Sequence, residues 1–173
     1  DDIKQKKHLV IIPIRDVGED TWFLKPFLGS TLIDATLGNL INNNFFKTIV
    51  VTTPNKKILS HLKRNYKNSI KYNERPQNLA RYNTLIDETV NHVIKKFSFR
   101  KYDTISIINC EYPFRRDFYF EKAVNTLYLF DAESVFGLNR NRTTLPPRSH
   151  IYPQWASSSS SFPWQIFPEV RGY

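Results

Sequence analysis

The strongest constraint on the fold is an apolar run at residues 9–14, LVIIPI, which follows His8 and is broken only by Pro13. A strand that is apolar at every position is buried on both faces, as the central strands of parallel sheets are. The run ends at Arg15, and a polar loop continues from there to Lys25. Open α/β sheets bind ligands beyond the carboxyl ends of their strands. We therefore predict a central parallel strand followed by a ligand-binding loop.

Helical and strand-like patterns alternate along the rest of the chain. Helical apolar spacing occurs at residues 32–43, 54–66, 84–97 and 117–130, and short apolar or β-branched runs occur at 47–53, 69–74, 102–108 and 134–138. This alternation predicts an α/β fold with a three-layer αβα, Rossmann-like and mostly parallel sheet. Right-handed crossovers predict a switch point beside the first strand. Arg15 and the segment 109–113 would then face one crevice.

Residues 139–173 differ in composition from the segment before them. They contain Pro146–Pro147, five serines at 157–161 and several aromatic residues, without a helical or strand period. We predict an α/β domain at residues 1–138 and an irregular Pro/Ser/aromatic extension at residues 139–173. The extension either docks its aromatic side chains on the domain or serves as a substrate lid or partner-binding tail.

Composition limits the classes of protein that the chain can belong to. The formal net charge of +9 favours anionic partners, but the cations are scattered among acids and no nucleic-acid-binding motif is present. The single cysteine, Cys110, excludes an internal disulfide and favours a reducing compartment, so we expect a cytoplasmic protein. No apolar run approaches the roughly 20 residues of a membrane span, and no signal peptide is visible. Because the 173 residues begin with Asp1 and lack Met, we expect a fragment or a processed product.

Short motifs along residues 8–138 resemble, in order, those of the cytidylyltransferases that activate sugar acids, the CMP-sialic acid and CMP-KDO synthetases. Residues 12–15, IPIR, resemble the IPAR opening of that family, and residues 25–29, KPFLG, resemble its KPLxG segment. Further similar segments are FKTIVVTT at 46–53, RPQNLA at 75–80, NCEYPFR at 109–115 and SV at 134–135. The resemblance implies a nucleotide-diphospho-sugar transferase-like fold.

The resemblance also implies a function and a set of site residues. The function is CTP-dependent transfer of a cytidylyl group to a sugar acid, which yields a CMP-sugar and pyrophosphate, with Mg²⁺ as cofactor. Arg15 and Lys25 would be the catalytic cations on the triphosphate, and Glu111 would bind the metal. The implied nucleotide-binding residues are Ile12, Pro13, Ile14, Gly18, Arg75, Ala80 and Asn109. The implied partners are CTP or CMP and a sugar acid, and the family also allows a homodimer.

The composition of the loop at residues 15–25 supports a second hypothesis. Its two cations and three acids, Asp16, Glu19 and Asp20, give a net charge of −1, and Gly18 is its one glycine. Such a loop is a poor cradle for a triphosphate. The alternative is therefore a catalytically inactive descendant that binds a nucleotide or sugar or acts as a scaffold, and the sequence leaves open whether the chain is an enzyme. A third and weaker hypothesis is binding to nucleic acid or a membrane surface through the charge of +9.

Overall fold

The computed structural model describes residues 6–16, 18, 21–43, 45–97, 102–114, 116, 118–137 and 164–168. The strands are β1 (His8–Pro13), β2 (Pro26–Phe27), β3 (Ser30–Thr31), β4 (Thr48–Thr53), β5 (Lys71–Glu74), β6 (Thr104–Ile108), β7 (Val135–Gly137) and β8 (Trp164–Pro168). The helices are α1 (Leu32–Asn42), α2 (Lys56–Tyr66), α3 (Ile86–Phe97) and α4 (Phe118–Leu129). Short 3-10 turns lie at Trp22–Leu24 and Gln77–Ala80.

Among the described residues, six strands form one sheet in the order β5-β4-β1-β6-β8-β7, and β2 and β3 form a separate hairpin. β1 pairs in parallel with β4 and with β6, and β4 pairs in parallel with β5. β8 is antiparallel to both β6 and β7. The predicted α/β class, with a mostly parallel sheet and flanking helices, is confirmed.

β8 lies in the segment for which the sequence predicts only irregular structure. It occupies the position between β6 and β7, from the pair Thr104 with Pro168 to the pair Ile108 with Trp164. Backbone pairing with a strand about 60 residues away defines it, and such pairing leaves no local period in the sequence. Residues 139–163 and 169–173 lie outside the described part of the chain, so the division at residue 138 stays a prediction.

Alternate side chains of β1 enter two separate cores, which is why the run at residues 9–14 is apolar throughout. Val10 and Ile12 belong to a buried cluster with side chains of α1, α2 and α4. Leu9 and Ile11 belong to a second cluster, which includes Val93 of α3. The sheet is therefore the middle of three layers, as predicted.

The order of the strands creates a crevice at the end of β1. From β1 the chain passes to β4 and β5 on one side and then returns to β6 on the other side. The loops that follow β1 and β6 therefore diverge from neighbouring strand ends, which is where open α/β sheets bind ligands. Among the described residues, no helix has the length and apolar character needed to cross a membrane.

Candidate functional site

The loops after β1 and β6 enclose a cleft of about 530 Å³. Trp22 and Lys25 line it from the loop after β1, Phe27 lines it from β2, and Glu111, Tyr112 and Phe114 line it from the loop after β6. Pro26, Leu32 and Pro113 complete the lining. We call these nine residues the aromatic cleft. Its volume is that of a site for a small ligand.

Two of the predicted site residues meet in the aromatic cleft. Lys25, predicted to be catalytic, and Glu111, predicted to bind metal, are exposed side chains of its lining. Among the described residues, they are the only charged members of the lining. The structure thus combines one cation and one carboxylate at the crevice, although 86 positions separate them in the chain.

Arg15, the other predicted catalytic cation, is directed away from the aromatic cleft. Its Nη1 donates to the carbonyl oxygen of Tyr82 at 2.8 Å, and its Nη2 donates to that of Thr84 at 3.2 Å. Its guanidinium carbon also lies 6.0 Å from the centre of the Tyr82 ring. Arg15 therefore connects the end of β1 to the loop that precedes α3.

Arg75 lies near Arg15 and is almost completely buried, with 2% of its surface exposed. Its Nη2 donates to the carbonyl oxygen of Thr52 at 2.9 Å, and its Nε is buried without a hydrogen-bond partner among the described residues. Burial, and after it the positive charge of Arg15, lower the pKa of Arg75 to about 10. Removal from water therefore disfavours a charge that no described carboxylate balances.

One further cation, Lys96 of α3, lies on the same side of the sheet as this pair. Lys96 donates to Asn73 Oδ1 at 2.6 Å, and Asn73 Nδ2 donates to the hydroxyl of Thr52 at 3.1 Å. Burial, followed by Lys96 and Arg75, lowers the pKa of His92. Arg15, Arg75 and Lys96 therefore concentrate positive charge on this side of the sheet.

In the loop after β1, a side chain of the loop accepts a hydrogen bond from one of the loop's own backbone N–H groups. The N–H of Gly18 donates to Asp16 Oδ1 at 3.0 Å, while Asp16 Oδ2 is buried without a hydrogen-bond partner among the described residues. The Gly18 carbonyl oxygen accepts from Asn55 Nδ2 at 2.8 Å. Gly18, one of the predicted nucleotide-binding residues, is thus held by hydrogen bonds to the side chains of Asp16 and Asn55. Val17, Glu19 and Asp20 lie outside the described residues.

Asn55 joins this loop to α2 and provides a test of that link. Its Oδ1 accepts from the N–H groups of Lys57 and Ile58 and so caps the helix. Asn55→Ala is expected to lower the free energy of unfolding by about 1 kcal/mol, as loss of an N-cap does, measured by urea denaturation. Asn55→Asp keeps the cap but loses the donor to the Gly18 carbonyl oxygen, so it should preserve stability while shifting the NMR resonance of the Gly18 carbonyl carbon. An unchanged Gly18 carbonyl resonance in Asn55→Asp would contradict the link.

The remaining predicted nucleotide-binding residues can act mainly through their backbone. Ile12, Ile14 and Ala80 are buried, and Pro13 is half-buried. Asn109 Oδ1 accepts from the N–H of Glu111 at 3.0 Å, so its side chain shapes its own turn. Whether these residues contact a nucleotide stays a prediction.

Sequence reasoning missed several residues at this edge of the sheet. Tyr82 and Thr84 hold Arg15 through carbonyl oxygens, which any residue type has, so the sequence contains no signal for them. Trp22 and Phe114 lie in segments that the sequence marks as loops, where an aromatic side chain indicates neither core nor site.

The fold is similar to that of solved cytidylyltransferases. A 4-diphosphocytidyl-2C-methyl-D-erythritol synthase from Anaerococcus prevotii has a TM-score of 0.65 at 14% identity, over 95% of this chain and 72% of that chain. A CMP:2-keto-3-deoxy-manno-octonic acid synthetase, solved with CTP, has a TM-score of 0.61 at 11% identity, over 94% and 74%. A cytidylyltransferase from Leptospira borgpetersenii has a TM-score of 0.58 at 14% identity, over 94% and 59%.

No protein-family profile matches the sequence, and no curated protein sequence matches it significantly. The similarity is therefore one of structure at low sequence identity. It shows that the chain has the nucleotide-diphospho-sugar transferase-like fold of cytidylyltransferases, as the motifs at residues 8–138 predict.

Proposed function

We propose that this protein is a CTP-dependent cytidylyltransferase that transfers the cytidylyl group to a hydroxyl of a sugar acid and releases pyrophosphate. Its fold is that of cytidylyltransferases, and one of the similar structures was solved with CTP. The crevice at the end of β1 lies at the switch point of the sheet, where this class of fold binds ligands. The reaction type rests on the chemistry of the residues around that crevice.

The observation that carries the proposal is the pair of arginines, Arg15 and Arg75. The one ion pair found among the described residues joins His61 and Asp34, so neither arginine has a carboxylate partner there. A buried charge without a counter-ion is unfavourable by several kcal/mol in typical proteins. An anionic ligand at the crevice would supply the missing charge, and a nucleoside triphosphate is such a ligand.

In the proposed reaction, a hydroxyl oxygen of the acceptor attacks the α-phosphorus of CTP. The bond from the α-phosphorus to the bridging oxygen breaks, pyrophosphate leaves, and the hydroxyl proton passes to solvent. Lys25 neutralises charge that develops on the leaving phosphates, because a fixed cation stabilises such charge most in a site shielded from water. Arg15 holds the loop before α3 and adds positive electrostatic potential at the crevice. The buried side chain of Arg75 increases that potential.

The side chains present fit the Mg²⁺ that such chemistry uses. Magnesium with a nucleotide takes most of its ligands from phosphates and water and needs one or two carboxylates. Glu111, an exposed carboxylate in the aromatic cleft, would hold the ion. When bound, it would screen phosphate charge as the α-phosphorus is attacked.

Arg15→Ala tests the proposed enzyme directly. Pyrophosphate release from CTP, Mg²⁺ and a panel of sugar acids should fall about tenfold, the typical effect of losing one hydrogen-bonded charge. Arg64→Ala, an exposed arginine in the last turn of α2, is the matched control and should keep wild-type activity. Release by the wild-type protein that does not exceed release by Arg15→Ala would refute the proposed reaction.

A second candidate function is nucleotide binding without turnover, and the contact between Asp16 and Gly18 favours it. The carboxylate accepts the N–H that a phosphate would need. Both Nη atoms of Arg15 are directed to carbonyl oxygens rather than to the aromatic cleft. Calorimetry with CTP and with CMP separates the candidates: micromolar binding without pyrophosphate release supports the inactive descendant, and release refutes it.

A further inference from the structure

Most of the net positive charge of the chain lies in one segment of the fold. Residues 54–86, which run from just before α2 to the first residue of α3, contain eight Lys or Arg residues and one acid, Glu74. Their net charge is therefore +7, and the whole chain of 173 residues carries +9. Such a concentration of one sign of charge favours association with an anionic partner.

Two lysines of this segment are positioned by aromatic rings at the outer edge of the sheet. β5 is the terminal strand in the order of the sheet. The Nζ of Lys63, on α2, lies 5.6 Å from the centre of the Tyr72 ring, on β5. The Nζ of Lys71, on β5, lies 5.6 Å from the centre of the Phe97 ring, at the end of α3. Contacts of this kind restrain long side chains, which then lose less conformational freedom when a ligand binds.

Two further exposed lysines extend this surface along α2. Lys56 and Lys63 are seven residues apart, so they lie on the same face of the helix, two turns from each other. Lys67 follows the last turn and is exposed. Arg64 is rotated by about 100° from Lys63 around the helix axis and belongs to a different face. We call Lys56, Lys63, Lys67 and Lys71 the basic edge.

The basic edge has no apolar group that could enter a membrane. The apolar residues Ile58, Leu59 and Leu62 of α2 are at most 5% exposed. No large hydrophobic side chain of the described segment 54–74 is exposed. A helix that lies in a membrane surface buries an apolar face there, and α2 already uses that face in the core. Lysines along a sheet edge also oppose pairing with a further β-strand, so an extended peptide is a poor partner.

The polar residues between the lysines are of types that contact phosphate groups. Ser60, Asn68 and Ser69 are exposed, and hydroxyl and amide groups donate hydrogen bonds to phosphate oxygens. The 11 residues of α2 span about 16 Å, and a nucleic-acid duplex carries about one phosphate per 1.7 Å of its axis. The surface can therefore meet several phosphates at once. Proteins that prefer single strands stack bases on exposed aromatic side chains, which the described residues 54–74 do not present.

We infer that the basic edge binds the phosphate backbone of a double-stranded nucleic acid without reading its sequence. None of its four lysines lines the aromatic cleft. The inference does not depend on the proposed function, because it needs neither CTP nor turnover.

Fluorescence anisotropy of the full chain with a labelled DNA duplex of about 20 base pairs and mixed sequence tests the inference. Four phosphate contacts should give a slope of about −4 in a plot of the logarithm of the association constant against that of the salt concentration. Lys63→Gln combined with Lys67→Gln should reduce the slope to about −2 and weaken binding about tenfold at about 50 mM salt. Two duplexes of unrelated sequence should bind equally.

The matched control removes the same charge from another part of the fold. Arg116→Gln combined with Lys122→Gln changes two exposed cations in and just before α4, and it should leave the slope and the affinity close to wild type. Thermal unfolding should show that both double variants are folded. The inference would be overturned by no duplex binding at about 50 mM salt, by equal losses in the two double variants, or by tighter binding of a single strand of the same length. Sedimentation with phosphatidylserine vesicles completes the test, since binding to vesicles without binding to the duplex would assign the surface to a membrane instead.

Discussion

Replacing Arg75 with methionine is expected to weaken CTP binding by about 30-fold and to leave the protein as stable as the wild type or more stable. Two unit charges about 5 Å apart interact by roughly 3 kcal/mol at an effective dielectric constant of ~20, which accounts for an effect of this size on an anionic ligand. The side chain is 2% exposed, and replacing a buried charge with an apolar group of similar length is often neutral or stabilising.

The hydrogen bonding around Arg75 explains why the fold should tolerate this change. The carbonyl oxygen of Thr52 accepts from Arg75 and also from the N–H of Ile14 at 2.9 Å, so it keeps a partner in the variant. Calorimetry gives the affinity, and urea denaturation gives the free energy of unfolding. Arg64→Met is the control for loss of an exposed arginine and should change neither. Unfolding of Arg75→Met under native conditions, or unchanged affinity for CTP, would contradict an anion-binding role for Arg75.

Asp34→Ala is expected to cause the largest loss of stability that we predict, about 2–4 kcal/mol. Asp34 accepts hydrogen bonds from Tyr66 at 2.6 Å, His61 at 2.8 Å and the hydroxyl of Thr31 at 2.7 Å. These bonds join the first turn of α1 to α2. Removing the carboxylate deletes several hydrogen bonds to a charged acceptor and leaves the half-buried Tyr66 hydroxyl without this partner. Asp87→Ala, an exposed acid in the first turn of α3, is the control and should lose less than about 1 kcal/mol.

The contribution of Asp34 should also depend on pH. Burial raises the pKa of Asp34, but hydrogen bonds from Tyr66, His61 and Thr31 outweigh it and hold the pKa below its usual value. A lowered pKa stabilises the fold above the unfolded value of about 3.9, and this stabilisation is lost as the pH falls through the folded value. The difference in unfolding free energy between wild type and Asp34→Asn should therefore be constant between about pH 6 and about pH 5, and it should shrink below about pH 4. A constant difference down to pH 3 would show that the charge of Asp34 is not responsible.

Much of the fold could be predicted because its elements have local signals. The β-branched run at residues 47–53 appears as β4, Thr48–Thr53, and the apolar spacing at 32–43 appears as α1, Leu32–Asn42. Both patterns are periods of 2 or 3.6 residues, which burial imposes on a single segment. β8 had no such signal, because antiparallel pairing with β6 selects it from a segment without a period of its own.

The candidate site was predicted in part. The structure brings Lys25 and Glu111 to one cleft, in agreement with the expectation that the loops after the first and fourth predicted strands share a crevice. The direction of a long side chain depends on which acceptors surround it, so the sequence could not show that Arg15 is held by Tyr82 and Thr84. The roles of these residues, the bound Mg²⁺, the homodimer and the cytoplasmic location stay predictions.

The sequence by itself determined the central strand, the alternation of strands and helices, and the edge at which the loop from Arg15 to Lys25 emerges. These features depend on which residues are apolar and how closely they follow one another. Only the tertiary structure decided that Arg75 is buried beside Arg15 without a described carboxylate, that Asp16 binds the N–H of Gly18, and that Trp22 and Phe114 line one cleft. Except for the short contact between Asp16 and Gly18, these arrangements join residues far apart in the chain. Packing of the three layers sets the distances between them, and no local pattern encodes those distances.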